Sequence, residues 1–104
     1  MDLNYSTHRT NDTLTVVLHG ELDIASADTL ADVLRRAIDT PGITRVDVDL
    51  HEVTFLDSTA INTLITGLNA ANEAGRQFHI SRPRGIVHRV LDVAGVLSAL
   101  LKPR

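Results

Sequence analysis

The stretch VTFLDSTAI, residues 53–61, joins the end of a predicted strand to the start of a predicted helix. Apolar residues at helical spacing follow it: Ile61, Leu64, Ile65 and Leu68. Asp57 has the short polar side chain that helix N-caps favour, so Ser58 is predicted as the first helical residue and partly exposed. Free backbone N–H groups and a partial positive charge at this point would accommodate a phosphate. Without further context, however, such a pair more often only starts a helix.

Three other segments alternate apolar and polar residues, and each is predicted as a strand with one buried and one wet face. These strong candidates cover residues 13–19, 45–50 and 76–81. A weaker candidate covers residues 3–7, and a turn at Asn11-Asp12 favours its pairing with the first strong strand.

Three helical patterns interleave with these strands and give the order β-β-α-β-α-β-α. They run over about residues 26–39, 58–74 and 83–95, and a short apolar tail at residues 96–101 is predicted as a last helical turn. Ser26 is the predicted cap of the first helix, and Gly75 ends the second. Strands joined by helices should be parallel, through right-handed crossovers. Because the strands alternate, all helices are predicted on one face, which gives a two-layer α/β fold with a mixed, mostly parallel sheet.

Composition places the chain in one domain, residues 1–104, and excludes several function classes. The net charge is −3, and there are one tyrosine, two phenylalanines and no tryptophan, so a nucleic-acid binder is not expected. The absence of cysteine removes disulfides and thiolate metal ligands. The first residues lack the pattern of a signal peptide, and no apolar run reaches the ~18 residues of a membrane span. A cytoplasmic protein without membrane attachment is therefore predicted.

A second informative segment, Gly20-Glu21-Leu22-Asp23, follows the first strong strand and precedes the first helix. In a parallel sheet the carboxyl ends of the strands meet at one edge, where ligands and partners gather. The loop with Asp57 and Ser58 follows the next strand, so both segments are predicted at the same end of the molecule. Taken alone, the segment is more simply a turn with a charged tip.

Enzymatic interpretations fit these residues less well. A receiver-like phosphoacceptor domain would need an acidic cluster for Mg²⁺, but Asp47 and Asp49 share the wet face of their strand and do not lie at its end. A hydrolase built on Ser58 and His51 would need a G-x-S-x-G elbow and a glycine-rich oxyanion hole, and the sequence has neither. The five histidines show no metal-ligand spacing. No catalytic residue, metal or cofactor is predicted.

The full set of motifs resembles the STAS domain, the sulfate-transporter and anti-sigma-factor-antagonist module, over about residues 3–101. The matching motifs are G-E-L-D at 20–23, the V-D-L strand ending at 48–50, the D-S-T-A helix start at 57–60 and D-V-A-G-V at 92–96. Many members of that family have glycine where this chain has Ala60, and alanine suits a helix. Within the family, the stand-alone bacterial anti-sigma factor antagonists are the nearest match.

The resemblance implies a binding protein and not an enzyme. Such antagonists bind an anti-sigma factor that is often also an ATP-dependent serine kinase, and binding frees a sigma factor. Phosphorylation of the serine that matches Ser58, with Thr59 as the less favoured acceptor, abolishes binding, and a phosphatase restores it. The resemblance further implies a partner-binding edge that contains Glu21, Asp23, Asp57, Ser58, Thr59 and Asn62.

Two interpretations of the resemblance stay open at this point. The first is a phosphorylation-switched antagonist, and the second is an unphosphorylated STAS scaffold or transporter-associated subunit. A monomer or a weak homodimer is expected. An exposed patch of C-terminal leucines, Leu97, Leu100 and Leu101, could support a dimer.

Overall fold

A computed structural model describes residues 3–101, which build one four-stranded mixed sheet with its helices. The strands are β1 (Asn4–Thr10), β2 (Thr13–Leu22), β3 (Arg45–Leu56) and β4 (Gln77–Ser81), in the order β1-β2-β3-β4. β1 and β2 are antiparallel, and the other two pairs are parallel. The helices are α1 (Ala27–Ile38), α2 (Ser58–Glu73), α3 (Gly85–Val93) and the short α4 (Leu97–Leu100). The predicted element order and the mostly parallel sheet are confirmed.

Two central strands extend further than the sequence predicts. Alternation ends near residue 19 in β2 and residue 50 in β3, yet the strands continue to Leu22 and Leu56, which pair with each other. Register shifts near Gly20 absorb the break in alternation, and Gly20 itself has a φ of 83°, which glycine adopts without strain. The G-E-L-D segment is therefore mostly strand, and the prediction that it forms a loop is wrong up to Leu22.

Burial separates the two faces of the sheet as the alternation predicts. The buried strand residues include Val16, Leu18, Val46, Val48, Leu50, Phe78 and Ile80, and they join one core cluster with residues of α1, α2, α3 and α4. β4 pairs only with the first part of β3, through Asp49, and α3 contacts β3 as well. The extended second half of β3 leads directly to the start of α2.

The C-terminal leucines do not form the exposed patch suggested by the sequence. Leu100 is fully buried, while Leu97 and Leu101 are half-buried against the core. Leu101 also forms an isolated parallel bridge to Ile80 of β4. The last helical turn packs inward, so these leucines stabilise the C-terminal segment against the core.

The polar face of β3 carries two carboxylates whose pKa values are shifted in opposite directions. Asp49 is only 7% exposed, and the Arg82 guanidinium donates to both of its oxygens, at 3.2 and 2.5 Å. Burial raises the pKa of Asp49, but the bonds from Arg82 and from the His51 N–H outweigh it, so the net pKa lies below its ordinary value. Burial also raises the pKa of Asp47, and the hydrogen bond from the Ser81 hydroxyl does not cancel that rise.

Neutralising these two carboxylates should change stability in opposite directions at pH 7. A folded pKa below the unfolded value stabilises the protein above pH ~4, so Asp49→Asn should lower the melting temperature by several degrees. A raised folded pKa costs stability in the ionised form, so Asp47→Asn should raise the melting temperature. Thermal denaturation at pH 7 and pH 3 measures both effects. Each should shrink at pH 3, and equal losses for the two variants at pH 7 would contradict this account.

Candidate functional site

The Asp57 carboxylate joins two segments that are far apart in sequence. Asp57 is the N-cap of α2, and its Oδ1 accepts from the Ala60 N–H at 3.0 Å, which confirms the predicted cap. Its Oδ2 accepts from the Ile24 N–H at 3.2 Å, in the loop between β2 and α1. The Asp57 N–H donates to the Leu22 carbonyl at 3.1 Å. The predicted meeting of the two loops at one end of the sheet is therefore observed.

Asp23 shapes the loop between β2 and α1 from within. Its Oδ1 accepts from the Ala25 N–H at 3.0 Å and from the Ser26 N–H at 3.3 Å, so the carboxylate is used inside the turn. Ser26 occupies the N-cap position of α1, as predicted, but its hydroxyl makes no cap bond. The Ser26 hydroxyl instead accepts from the Asp23 N–H at 3.1 Å. The half-buried Asp23 thus has a structural use that the sequence did not indicate.

Ser58 is exposed and is the first residue of α2, as the sequence predicts. Thr59 is half-buried, so Ser58 is the more exposed residue of the two. Asn62 is exposed and lies on the same helix face as Ser58, one turn further along. No acidic residue of α2 lies in its first turn, and the first N–H groups of a helix lack carbonyl partners within it. The Asp57 carboxylate at the N-cap already accepts one of these N–H groups, that of Ala60, and the others are left to interact with a negative charge on Ser58.

Two exposed apolar side chains flank this helix start, and neither is among the site residues predicted from the sequence. Ile24 is 75% exposed beside the Asp57 carboxylate, and Phe55 is 43% exposed three residues before Ser58. The exposed Glu21 pairs with Phe55 across β2 and β3. An isoleucine inside a polar turn was the available signal for Ile24. Phe55 lies in an apolar run that is typical of a buried strand, so its exposure was not predicted.

We call the exposed residues Glu21, Ile24, Phe55, Ser58 and Asn62 the α2-start surface. It combines two large apolar side chains with a hydroxyl, an amide and a carboxylate. Exposed apolar groups rimmed by polar ones are typical of surfaces that bind another protein. The arrangement is suited to recognition and offers no paired nucleophile and base.

The alternative chemistries have no matching geometry here. His51 lies within β3, and the five residue steps from His51 to Leu56 span about 17 Å of extended strand, so its ring lies far from Ser58. Its ring nitrogen lies 2.8 Å from the Glu52 carboxylate. Among residues 3–101, no group of three or more metal-binding side chains is present. Within the same range, no helix is long and apolar enough to cross a membrane.

A family model of the STAS domain matches residues 4–103. The chain belongs to the STAS domain family. An anti-sigma-B factor antagonist of Staphylococcus epidermidis is 29% identical over 96 residues, which are 92% of this chain and 88% of that protein. The predicted family membership is confirmed.

Solved structures of STAS proteins share the fold of this chain. An anti-sigma factor antagonist from Mycobacterium paratuberculosis superposes with a TM-score of 0.84, at 19% identity, over 99% of this chain and 87% of that one. SpoIIAA in its unphosphorylated form gives a TM-score of 0.79, at 18% identity, over 95% of this chain and 86% of that one. The phosphorylated form of SpoIIAA from Bacillus gives a TM-score of 0.71, at 17% identity, over 95% of this chain and 89% of that one. At these identities the likeness concerns the fold.

Ile24 should be dispensable for stability, because its side chain is mostly in water. Ile24→Ser should change the free energy of unfolding by no more than about 0.5 kcal/mol. Leu56→Ala is the contrasting variant at the same end of the sheet, where Leu56 is 2% exposed, and it should cost about 2–5 kcal/mol. Chemical denaturation measures both values. A large loss from Ile24→Ser would mean that this STAS domain needs Ile24 to fold.

Proposed function

We propose that this STAS protein is an anti-sigma factor antagonist whose binding is switched off by phosphorylation of Ser58. It binds an anti-sigma factor of the serine-kinase type in the cytoplasm, frees a sigma factor, and regulates transcription without being an enzyme. A phosphatase would reverse the modification. The observation that carries the proposal is the exposed Ser58 at the start of α2, between exposed apolar residues, in a chain related to anti-sigma-B factor antagonists.

The α2-start surface supports protein binding by its composition. Ile24 and Phe55 offer apolar area that binding would remove from water. The exposed Glu21 adds a negative charge beside Phe55. A partner with an apolar patch and a nearby arginine or lysine complements this surface best. Of the remaining expected site residues, Asn62 extends the surface along α2, while Thr59 is half-buried and Asp23 is used within its turn.

Phosphate on Ser58 would oppose binding through charge and size. It adds roughly −1.5 to −2 charge at pH 7. The start of α2 stabilises that charge internally, so the fold should persist. A partner surface that faces Glu21 and Phe55 would then meet a bulky anion. A loss of about 3 kcal/mol of binding free energy would weaken the complex ~100-fold.

Phosphorylation by the cognate kinase is the first test. Incubation with a serine-kinase anti-sigma factor and ATP should add one phosphate, detected by intact mass and located on Ser58 by peptide mapping. Ser58→Ala should abolish the modification, and Thr59→Ala is the control that should leave it unchanged. No added phosphate, or a phosphate on another residue, would favour the alternative of an unswitched scaffold or transporter-associated subunit.

A charge at residue 58 should weaken partner binding without unfolding the protein. Ser58→Asp should lower the affinity for the anti-sigma factor by about tenfold to 100-fold, because aspartate carries less charge and volume than phosphate. Ser98→Asp adds the same charge at an exposed serine of α4 and should change affinity less than about twofold. Calorimetric titration measures both. Unchanged affinity for Ser58→Asp would contradict the proposed switch.

A further inference from the structure

We infer that Asp57 is a positioning residue that holds the loop between β2 and α1 against the start of α2. The inference rests on the proposed function and adds a specific device to it. The partner-binding surface comes from two chain segments, and the Asp57 carboxylate keeps them in one arrangement before the partner arrives. The expected direct contact of Asp57 with the partner is thereby replaced by an indirect one.

Both oxygens of the Asp57 carboxylate are already engaged inside the protein. Oδ1 accepts from Ala60 in α2, and Oδ2 accepts from Ile24 in the loop. The Asp57 N–H also donates to Leu22, at the end of β2. A carboxylate that accepts two backbone N–H groups on different segments is a bridge between them, and such charge-assisted bonds are stronger than neutral ones.

The loop needs such a bridge because apolar burial does not fix its tip. Ile24 is 75% exposed, and Ala25 is exposed as well. The bonds of Asp23 set the shape of the turn but remain within it. Across the described range 3–101, the hydrogen bond from Ile24 to Asp57 is the one that links residues 23–26 to residues 57–62. Without it, the loop tip would be free to move away from Ser58.

Asparagine at residue 57 separates capping from bridging. Asparagine is as good an N-cap as aspartate, because one oxygen accepts from the helix N–H. Its second polar atom is an NH₂ group, which donates and does not accept. Asp57→Asn therefore retains the bond to Ala60 and loses the bond to Ile24. Asp57→Ser, with a single capping oxygen, should behave in the same way and serves as a second variant.

Amide hydrogen exchange measured by NMR tests the bridge without any partner. In Asp57→Asn, exchange of the Ile24 amide should accelerate at least about tenfold, while exchange of the Ala60 amide should change less than about threefold. Asp28→Asn is the matched control, since it removes an exposed carboxylate from the first turn of α1. It should leave both amides unchanged. Unchanged exchange of Ile24 in both Asp57 variants would overturn the inference.

A double-mutant cycle tests whether the bridge acts on binding through the loop. Asp57→Asn should weaken binding to the anti-sigma factor about tenfold, and Asp28→Asn less than about twofold. In an Ile24→Ser background, Asp57→Asn should change affinity less than about twofold, because the positioned side chain is already gone. An equal loss in both backgrounds would mean that Asp57 contacts the partner directly, which overturns the inference.

The two proposals fail in different ways. Faster exchange of Ile24 with unchanged affinity would overturn the role of the bridge in binding and leave the antagonist function intact. Wild-type protein that binds no anti-sigma factor would overturn the proposed function and, with it, the role of Asp57 in binding. The exchange measurement on the free protein would still decide whether the bridge holds the loop.

Discussion

The candidate site depends on the two hydrogen bonds that the Asp57 carboxylate accepts. It caps α2 and also accepts the Ile24 N–H from a loop more than thirty residues earlier in the chain. Because one carboxylate accepts backbone N–H groups from both segments, the position of the β2–α1 loop is coupled to the start of the helix that carries Ser58. The backbone of the exposed Ile24 is thereby held at Asp57, the residue that precedes Ser58. The hydrogen bonds of Asp57 to Ile24 and Leu22 thus bring the end of β2 and the β2–α1 loop to the start of α2.

The one-sided sheet makes this arrangement possible. Helices cover the apolar face, and the strands end at an edge where the loops are free to carry function. On the polar face, the Asp49 carboxylate is paired with the Arg82 guanidinium, whereas the Asp47 carboxylate accepts a hydrogen bond from the neutral Ser81 hydroxyl.

Local chemistry was sufficient to predict the main elements and the position of Ser58. Period-2 alternation located β2, β3 and β4, helical spacing located α1 and α2, and the Asp57 cap fixed where α2 begins. The prediction was wrong where tertiary contacts override local pattern. β2 continues through Gly20, because its partner strand β3 offers backbone bonds as far as Leu56. The C-terminal leucines turn inward, because burial of Leu100 in the core removes its apolar side chain from water.

The amino-acid sequence by itself determined the order of the elements, the buried face of each strand and the residue at the start of α2. These follow from side-chain periodicity and capping, which act over a few residues. Only the tertiary structure decided that Ile24 and Phe55 are exposed, that Asp23 is used within its own turn, and that Asp57 reaches Ile24. Side-chain exposure and hydrogen bonds between distant segments depend on how the chain folds back on itself. A local sequence pattern does not contain that information.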